Sequence, residues 1–370
     1  MILKVICNPD ELDVDYHQKV SAFENILSAQ RDGNHVVYCD RKLIRHFRGS
    51  SHLSSSSLQT ISELHFLSRE YKTVSNEISV VVHVLFDRSH YVNNLDANGQ
   101  NIIEISYDYF NSTLRVQPST LIPENDKDFD FFKIIADGYL NRKSNYNFNL
   151  KLSKHCGYGS HTYSVYSEYK SSQKLALCIV DNDVKYPGAS VGSTARQFGQ
   201  NGFCIDGTVE AKMLSVREIE SLLPEEVIEE ALVSKGYPAN SIDVLEKMKR
   251  LEQISSGEFR KYFDHKDGIT LKQALQPSWS AFWKDFFVAE PTFGIKPCAQ
   301  NNDCIECGSC IKLDGFGERI LEKSLEVMDD SHKRKLFERL SGIILEEWEA
   351  IGEKVIAWGC APKAGRARAS

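Results

Sequence analysis

Leu175-Ala176-Leu177-Cys178-Ile179-Val180-Asp181-Asn182-Asp183 is the stretch on which the fold turns. Six apolar residues in a row match the length of a strand, and an unbroken run without alternation suits a parallel strand covered on both faces. The run ends in two carboxylates. In open α/β sheets, ligands gather at the carboxyl ends of the strands, so Asp181 and Asp183 are placed where chemistry is done. On an extended strand, residues two apart face the same way, which predicts that the two acids share one cation site. Turns are also rich in Asp, so the pair alone leaves chemistry and turn formation open.

Working outward, the same design recurs upstream. Thr120–Pro123 reads as a short strand that delivers Glu124 at its end, followed by a helix with Phe129, Phe132, Ala136 and Tyr139 on one face. Asp128, four residues beyond Glu124, can return to the same side within the first turn. Acidic residues there also cap helices and favour the positive end of the backbone dipole, an ordinary role open to Asp126 and Asp128. Between the two acidic strands, Gly157-Tyr158-Gly159-Ser160-His161-Thr162 offers glycines that admit close approach by backbone or phosphate. Downstream, Met213–Val216 reads as a further strand, leading into Arg217-Glu218-Ile219-Glu220. Arg217 is a candidate phosphate contact or a neutralising neighbour.

Outside this core the chain divides in three. Residues 1–113 carry strand-like runs at Ile2–Cys7, His35–Cys39, Ile78–Phe86 and Ile102–Tyr109, with a helical pattern through Val20, Phe23, Ile26 and Leu27. Ser50 to Ser57 reads as a loop. No catalytic motif stands out there, so a structural or partner-binding task is expected. Residues 114–290 form the acidic core. Residues 291–370 hold a cysteine group followed by helical spacing through Ile320, Leu321 and Leu325, then Leu336, Leu340 and Trp348. Cys298, Cys304, Cys307 and Cys310 are spaced as tetrahedral metal ligands. A structural zinc is favoured over an iron–sulfur cluster, and reduced free thiols are the plain alternative.

Composition sets bounds on these readings. The chain has 370 residues, a net charge of −7 and 42% hydrophobic residues. No apolar run approaches the roughly 20 residues that cross a bilayer, and the start of the chain lacks a signal peptide's basic and apolar regions. A cytoplasmic protein is the expectation. The acidic balance does not advertise a nucleic-acid binder, but bound cations would offset a surplus of carboxylates.

A strand ending in Glu124, a Gly-rich turn, a strand ending in Asp181 and Asp183, and then Arg217-Glu218-Ile219-Glu220 resembles the TOPRIM domain. The likeness is to nucleases of the overcoming-lysogenization-defect family and to stand-alone TOPRIM effectors of bacterial anti-phage systems. It covers roughly Leu114 to Leu275, and Asn125 stands where the family commonly has glycine. The resemblance implies a Rossmann-like TOPRIM domain with a central parallel sheet, flanked by a mixed α/β N-terminal region and a helical C-terminal region with the Cys-rich metal insert. It implies a two-metal nuclease using Mg²⁺ or Mn²⁺, with Glu124, Asp128 and Asp181 on one ion and Asp183, Glu218 and Glu220 on the other. Glu124 and Asp181 are then catalytic, Lys266 is similar to the family's functional lysine, and Gly157, Gly159 and Arg217 are placed to meet phosphate. The family's full-length nucleases carry an ATPase domain, whereas no P-loop occurs in this sequence. Nucleic acid, DNA ahead of RNA, an ATPase or sensor protein in trans, and further copies of the chain in a homo-oligomer are the partners this reading admits. A catalytically silent, partner-binding subunit of such a complex is the alternative, and a phosphatase using Asp181 ranks lower because Glu124 precedes it.

Overall fold

A computed structural model describes residues 1–9, 15–97, 99–143, 147–255, 257–293, 297–301, 310–328 and 336–363. The chain is mixed α/β with parallel-strand sheets. It divides into two units. The first comprises residues 1–179, 201–212 and 350–370, and the second residues 180–200 and 213–349. Among the described residues, no helix is long and apolar enough to cross a membrane.

The first unit holds two five-stranded sheets. One is built from β1 (Ile2–Ile6), β2 (Val36–Cys39), β3 (Val80–Leu85), β4 (Val92–Ala97) and β5 (Gln100–Ser106), in the order β2-β1-β3-β5-β4. Its inner pairs are parallel, and β4 closes the edge antiparallel to β5. Parallel strands need crossover connections, supplied by α1 (Tyr16–Arg31) after β1, then α2 (Arg41–Phe47) and α3 (Ser55–Glu77) after β2. With helices on its faces, the sheet buries both sides of its central strands. Ile2, Leu3, Val80, Val81 and Val82 are all fully enclosed. The serine-rich segment read as a loop is one as far as Ser54, and its last three residues, Ser55–Ser57, open α3. Ser54 accepts a hydrogen bond from the Ser57 amide and so caps the helix, a use to which serine is well suited.

The second sheet orders its strands β10-β11-β9-β6-β8, with β6 (Thr120–Pro123), β8 (Ser153–Lys154), β9 (Ala176–Val180), β10 (Ile205–Asp206) and β11 (Val209–Met213). β7 (Phe148–Leu150) pairs instead with β14 (Cys360–Pro362). β6 runs parallel to both β8 and β9, with Pro123 opposite Ile179. Every residue of β6 and β9 is buried, as their apolar runs require. The helix α4 (Asp126–Arg142) follows β6, and α5 (Thr162–Ser171) leads into β9. The expected strand at Met213–Val216 lies earlier, at Val209–Met213. Glu210, its second residue, is buried and takes hydrogen bonds from Lys354 Nζ and Trp358 Nε1, each at 2.6 Å. That long-range partnership lets a charged residue occupy an inner strand.

The second unit is mainly helical: α6 (Ser193–Gln197), α7 (Glu225–Ser234), α8 (Ser241–Ser255) and α9 (Glu258–Tyr262), then the antiparallel pair β12 (Gly268–Thr270) and β13 (Lys312–Asp314). Phe259, Phe263, Trp283 and Phe286 pack ring against ring. The buried Arg260 guanidinium binds the Glu252 carboxylate at 2.6 Å and the carbonyl oxygens of Ser221 and Leu223 at 3.2 and 2.7 Å. It thereby fixes the loop after Glu220 to α8.

Candidate functional site

Each predicted residue takes its place from its local chain. Glu124 is buried at the end of β6, and its carbonyl oxygen accepts from the amide of Gly159 and the thiol of Cys156. Asn125 and Asp128 form a reciprocal capping box at the start of α4, in which the Asp128 carboxylate accepts from the Asn125 amide at 2.8 Å. The capping role open to Asp128 is thus in use. The Gly157 amide donates to Pro123 and the Gly159 amide to Glu124, at 2.8 and 3.1 Å, so both serve the sheet edge. A side chain at Gly157 would fall 2.2 Å from Thr162 Oγ1, which explains the glycine.

The second unit treats the other acids differently. β9 ends at Val180, and Asp183 takes a left-handed backbone with φ 54°. Asp181 and Asp183 are therefore not alternate residues of one extended strand, as their spacing predicted. The reason is Asn182, which is buried: its side-chain oxygen accepts from the Val184 amide and its side-chain nitrogen donates to Leu214 O. This turns the chain immediately after Asp181. The Asp183 amide donates to Arg217 O at 2.9 Å, and a Cβ at Gly192 would lie 2.0 Å from Asp183 Oδ2. Gly192 is glycine to make room for that carboxylate. Neither Asn182 nor Gly192 had a signal in the sequence beyond proximity to the acids.

Glu218 and Glu220 lie not at a strand end but just before and within the 3₁₀ turn Ile219–Leu222. They are 6% and 3% exposed. Lys266 Nζ stands 3.0 Å from Glu220 Oε2 and 3.6 Å from Glu218 Oε2. Glu218 Oε1 also accepts from the His265 amide at 2.5 Å. Beside them, Arg217 pairs with Asp264 at 2.5 Å. The predicted phosphate contact thus has a carboxylate partner within its own unit.

Two carboxylates sharing one ammonium away from water are poorly compensated. Burial pushes the carboxyl groups of Glu218 and Glu220 up to about 7, and for Glu220 the charge of Glu218 adds to this. Burial works against the Lys266 ammonium, yet the charges of Glu220, Glu218 and Asp181 outweigh it and hold its pKa above the ordinary lysine value. The enclosed His265 imidazole is held well below its usual range, first by burial and then by Arg260. Glu220 Oε2 contacts the Lys266 ammonium, which it shares with Glu218. Asp264 and His265, which position Lys266, were recognisable only as neighbours of that lysine.

Among the described residues, no three His, Cys, Asp or Glu side chains are gathered as an ion cage. The cluster nonetheless fits a hard divalent cation in donor type and charge. Its candidate donor atoms are carboxylate oxygens, and two buried carboxylates there share one ammonium. Of the predicted metal-binding cysteines, Cys304 and Cys307 lie outside the described residues, while Cys298 is half-buried and Cys310 exposed. No family model, curated protein or solved structure matches the chain.

Proposed function

We propose that the chain is a metal-dependent phosphodiesterase acting on nucleic acid, with a TOPRIM-like core. The observation that carries the reading is the Glu218–Glu220–Lys266 cluster: two carboxylates withdrawn from water, one ammonium between them, and the charge of Asp181 acting on that ammonium. A purely structural bridge pairs one charge with one, and a surplus buried carboxylate is costly to keep without a further task.

Bound Mg²⁺ or Mn²⁺ supplies polarisation of a phosphoryl oxygen and an activated water. Glu218 and Glu220 would hold cations, with Asp181 and Asp183 the adjoining carboxylate donors. In this reading, Glu124 and Asp128 are assigned to the same chemistry by the order of motifs. Lys266 would meet negative charge on the phosphate. Asn182 and Gly192 set the turn that presents Asp183, and Arg217 and Asp264 hold the loops bearing Glu218 and Lys266. The wider role, an effector of anti-phage defence with an ATPase or sensor partner in trans, extends this proposal on the strength of the resemblance.

A second reading, a non-cutting subunit of such a complex, is favoured by one observation: Lys266 already neutralises part of the cluster. One assay separates them. Purified protein is incubated with plasmid, linear duplex DNA and RNA, with Mg²⁺ or Mn²⁺ and in EDTA. Metal-dependent cleavage that disappears in Asp181→Ala and Glu220→Gln is expected. Absence of any metal-dependent product, with extract from the native host added as a source of partners, would overturn the proposal.

A further inference from the structure

The loop that carries Lys266 is pinned on its backbone. The Gly317 amide donates to Lys266 O at 2.9 Å, Phe316 to His265 O at 2.7 Å and Gly268 to Asp264 O at 2.8 Å. Gly315 and Gly268 leave no room for a side chain, since a Cβ would meet Lys266 O at 2.3 Å and Leu313 O at 2.1 Å respectively. The Lys266 side chain is different: it is 25% exposed, and its flexible stem ends between two carboxylates that are almost entirely covered. One end of this residue is fixed and the other has a route to solvent.

From this arrangement we infer that Lys266 is a built-in competitor for the metal, an ammonium resting in the cation position between Glu218 and Glu220 that must swing out before a divalent ion is held there. The inference rests on the metal-dependent reading above. Its physical basis is charge. An ammonium at 3.0 Å satisfies a carboxylate that a cation would otherwise bind, and repels the incoming ion. Removing it leaves two buried carboxylates with only Arg217, itself paired with Asp264, acting on Glu218, a stronger attraction for a divalent ion than the native site offers. The competitor also gives the metal-free protein a way to fold without leaving both glutamates uncompensated.

The test is Mn²⁺ binding by the full chain, followed by calorimetry and by electron paramagnetic resonance of free Mn²⁺, with no nucleic acid present. Lys266→Gln is expected to bind Mn²⁺ about tenfold or more tightly than the wild type, and Lys266→Arg, which keeps the charge, to stay near the wild-type value. Glu220→Gln is expected to weaken binding in either background. Equal or weaker binding by Lys266→Gln, with binding still lost in Glu220→Gln, overturns the competitor while the metal site stands. No binding by any form up to millimolar Mn²⁺ overturns the metal site itself. Should Lys266→Gln fail to fold in EDTA, its circular dichroism is expected to recover on adding Mn²⁺ but not at matched ionic strength with NaCl. Failure of that recovery also overturns the inference.

Discussion

Glu210 in the first unit and Glu220 in the second are enclosed to nearly the same degree, 4% and 3% exposed. Their surroundings differ. Glu210 uses both carboxylate oxygens, one on Lys354 Nζ and one on Trp358 Nε1, so its charge and lone pairs are met at short range. Glu220 shares the one Lys266 ammonium with Glu218, a second buried carboxylate. Burial alone therefore says little about function in this protein. The informative quantity is the mismatch between buried charge and buried partners, which is small around Glu210 and large around Glu220.

The sharpest way to break this contrast is to neutralise each glutamate. Glu220→Gln is expected to lower metal-dependent cleavage by about a thousandfold, or roughly 4 kcal/mol in the barrier, with little loss of folding stability. Initial rates and urea unfolding of the same preparation check both halves. Glu210→Ala should do the reverse. It strands the Trp358 donor and loses the Lys354 pair, at a cost of about 3 kcal/mol in unfolding free energy, while cleavage per folded molecule is retained. A Glu210 variant that is stable but inactive would show that the two sites have been assigned the wrong way round.

The next contrast is in pH. The carboxyl groups of Glu218 and Glu220 are raised from the ordinary 4.5 to about 7, so the folded state holds more protons than the unfolded state between those values. Their contribution to stability is then fully present below about pH 4.5 and is lost as pH rises through about 7. In EDTA, wild-type stability is expected to decline across that window more steeply than that of the Glu218→Gln/Glu220→Gln double variant. Thermal unfolding at stepped pH measures the difference, and parallel curves would contradict the assignment.

The contrast also marks what could be read in advance. β6 and β9 announce themselves because an inner parallel strand must be apolar throughout, and both end within a residue of where the pattern stops. β11 was read too late along the chain because its defining residue, Glu210, is made acceptable by Lys354 and Trp358, more than 140 positions away. The turn at Asn182 misled in the same way. Spacing of two predicts a shared face only while the backbone stays extended, and a side chain accepting from Val184 ends that condition. Glu124 and Asp181, which directly follow β6 and β9, were legible from strand ends. Their charge partners came from loops, where Lys266, Asp264 and His265 are set by hydrogen bonds with no periodic trace.

Asp128 tests the contrast at its smallest scale, because it belongs to both classes at once. Its carboxylate closes the capping box with the Asn125 amide, a structural duty, while the order of motifs assigns it to a cation. Asp128→Asn keeps an oxygen that can accept that hydrogen bond and is expected to change unfolding free energy by no more than about 0.5 kcal/mol. Asp128→Ala removes the acceptor and is expected to cost about 1 kcal/mol. If Asp128 only caps α4, both variants retain full cleavage once folded. If it also holds a cation, Asp128→Asn loses Mn²⁺ affinity despite its intact stability, because a neutral amide offers the ion no charge. Calorimetry and urea unfolding on these two variants thus separate capping from metal binding at a residue where both roles fall to one carboxylate.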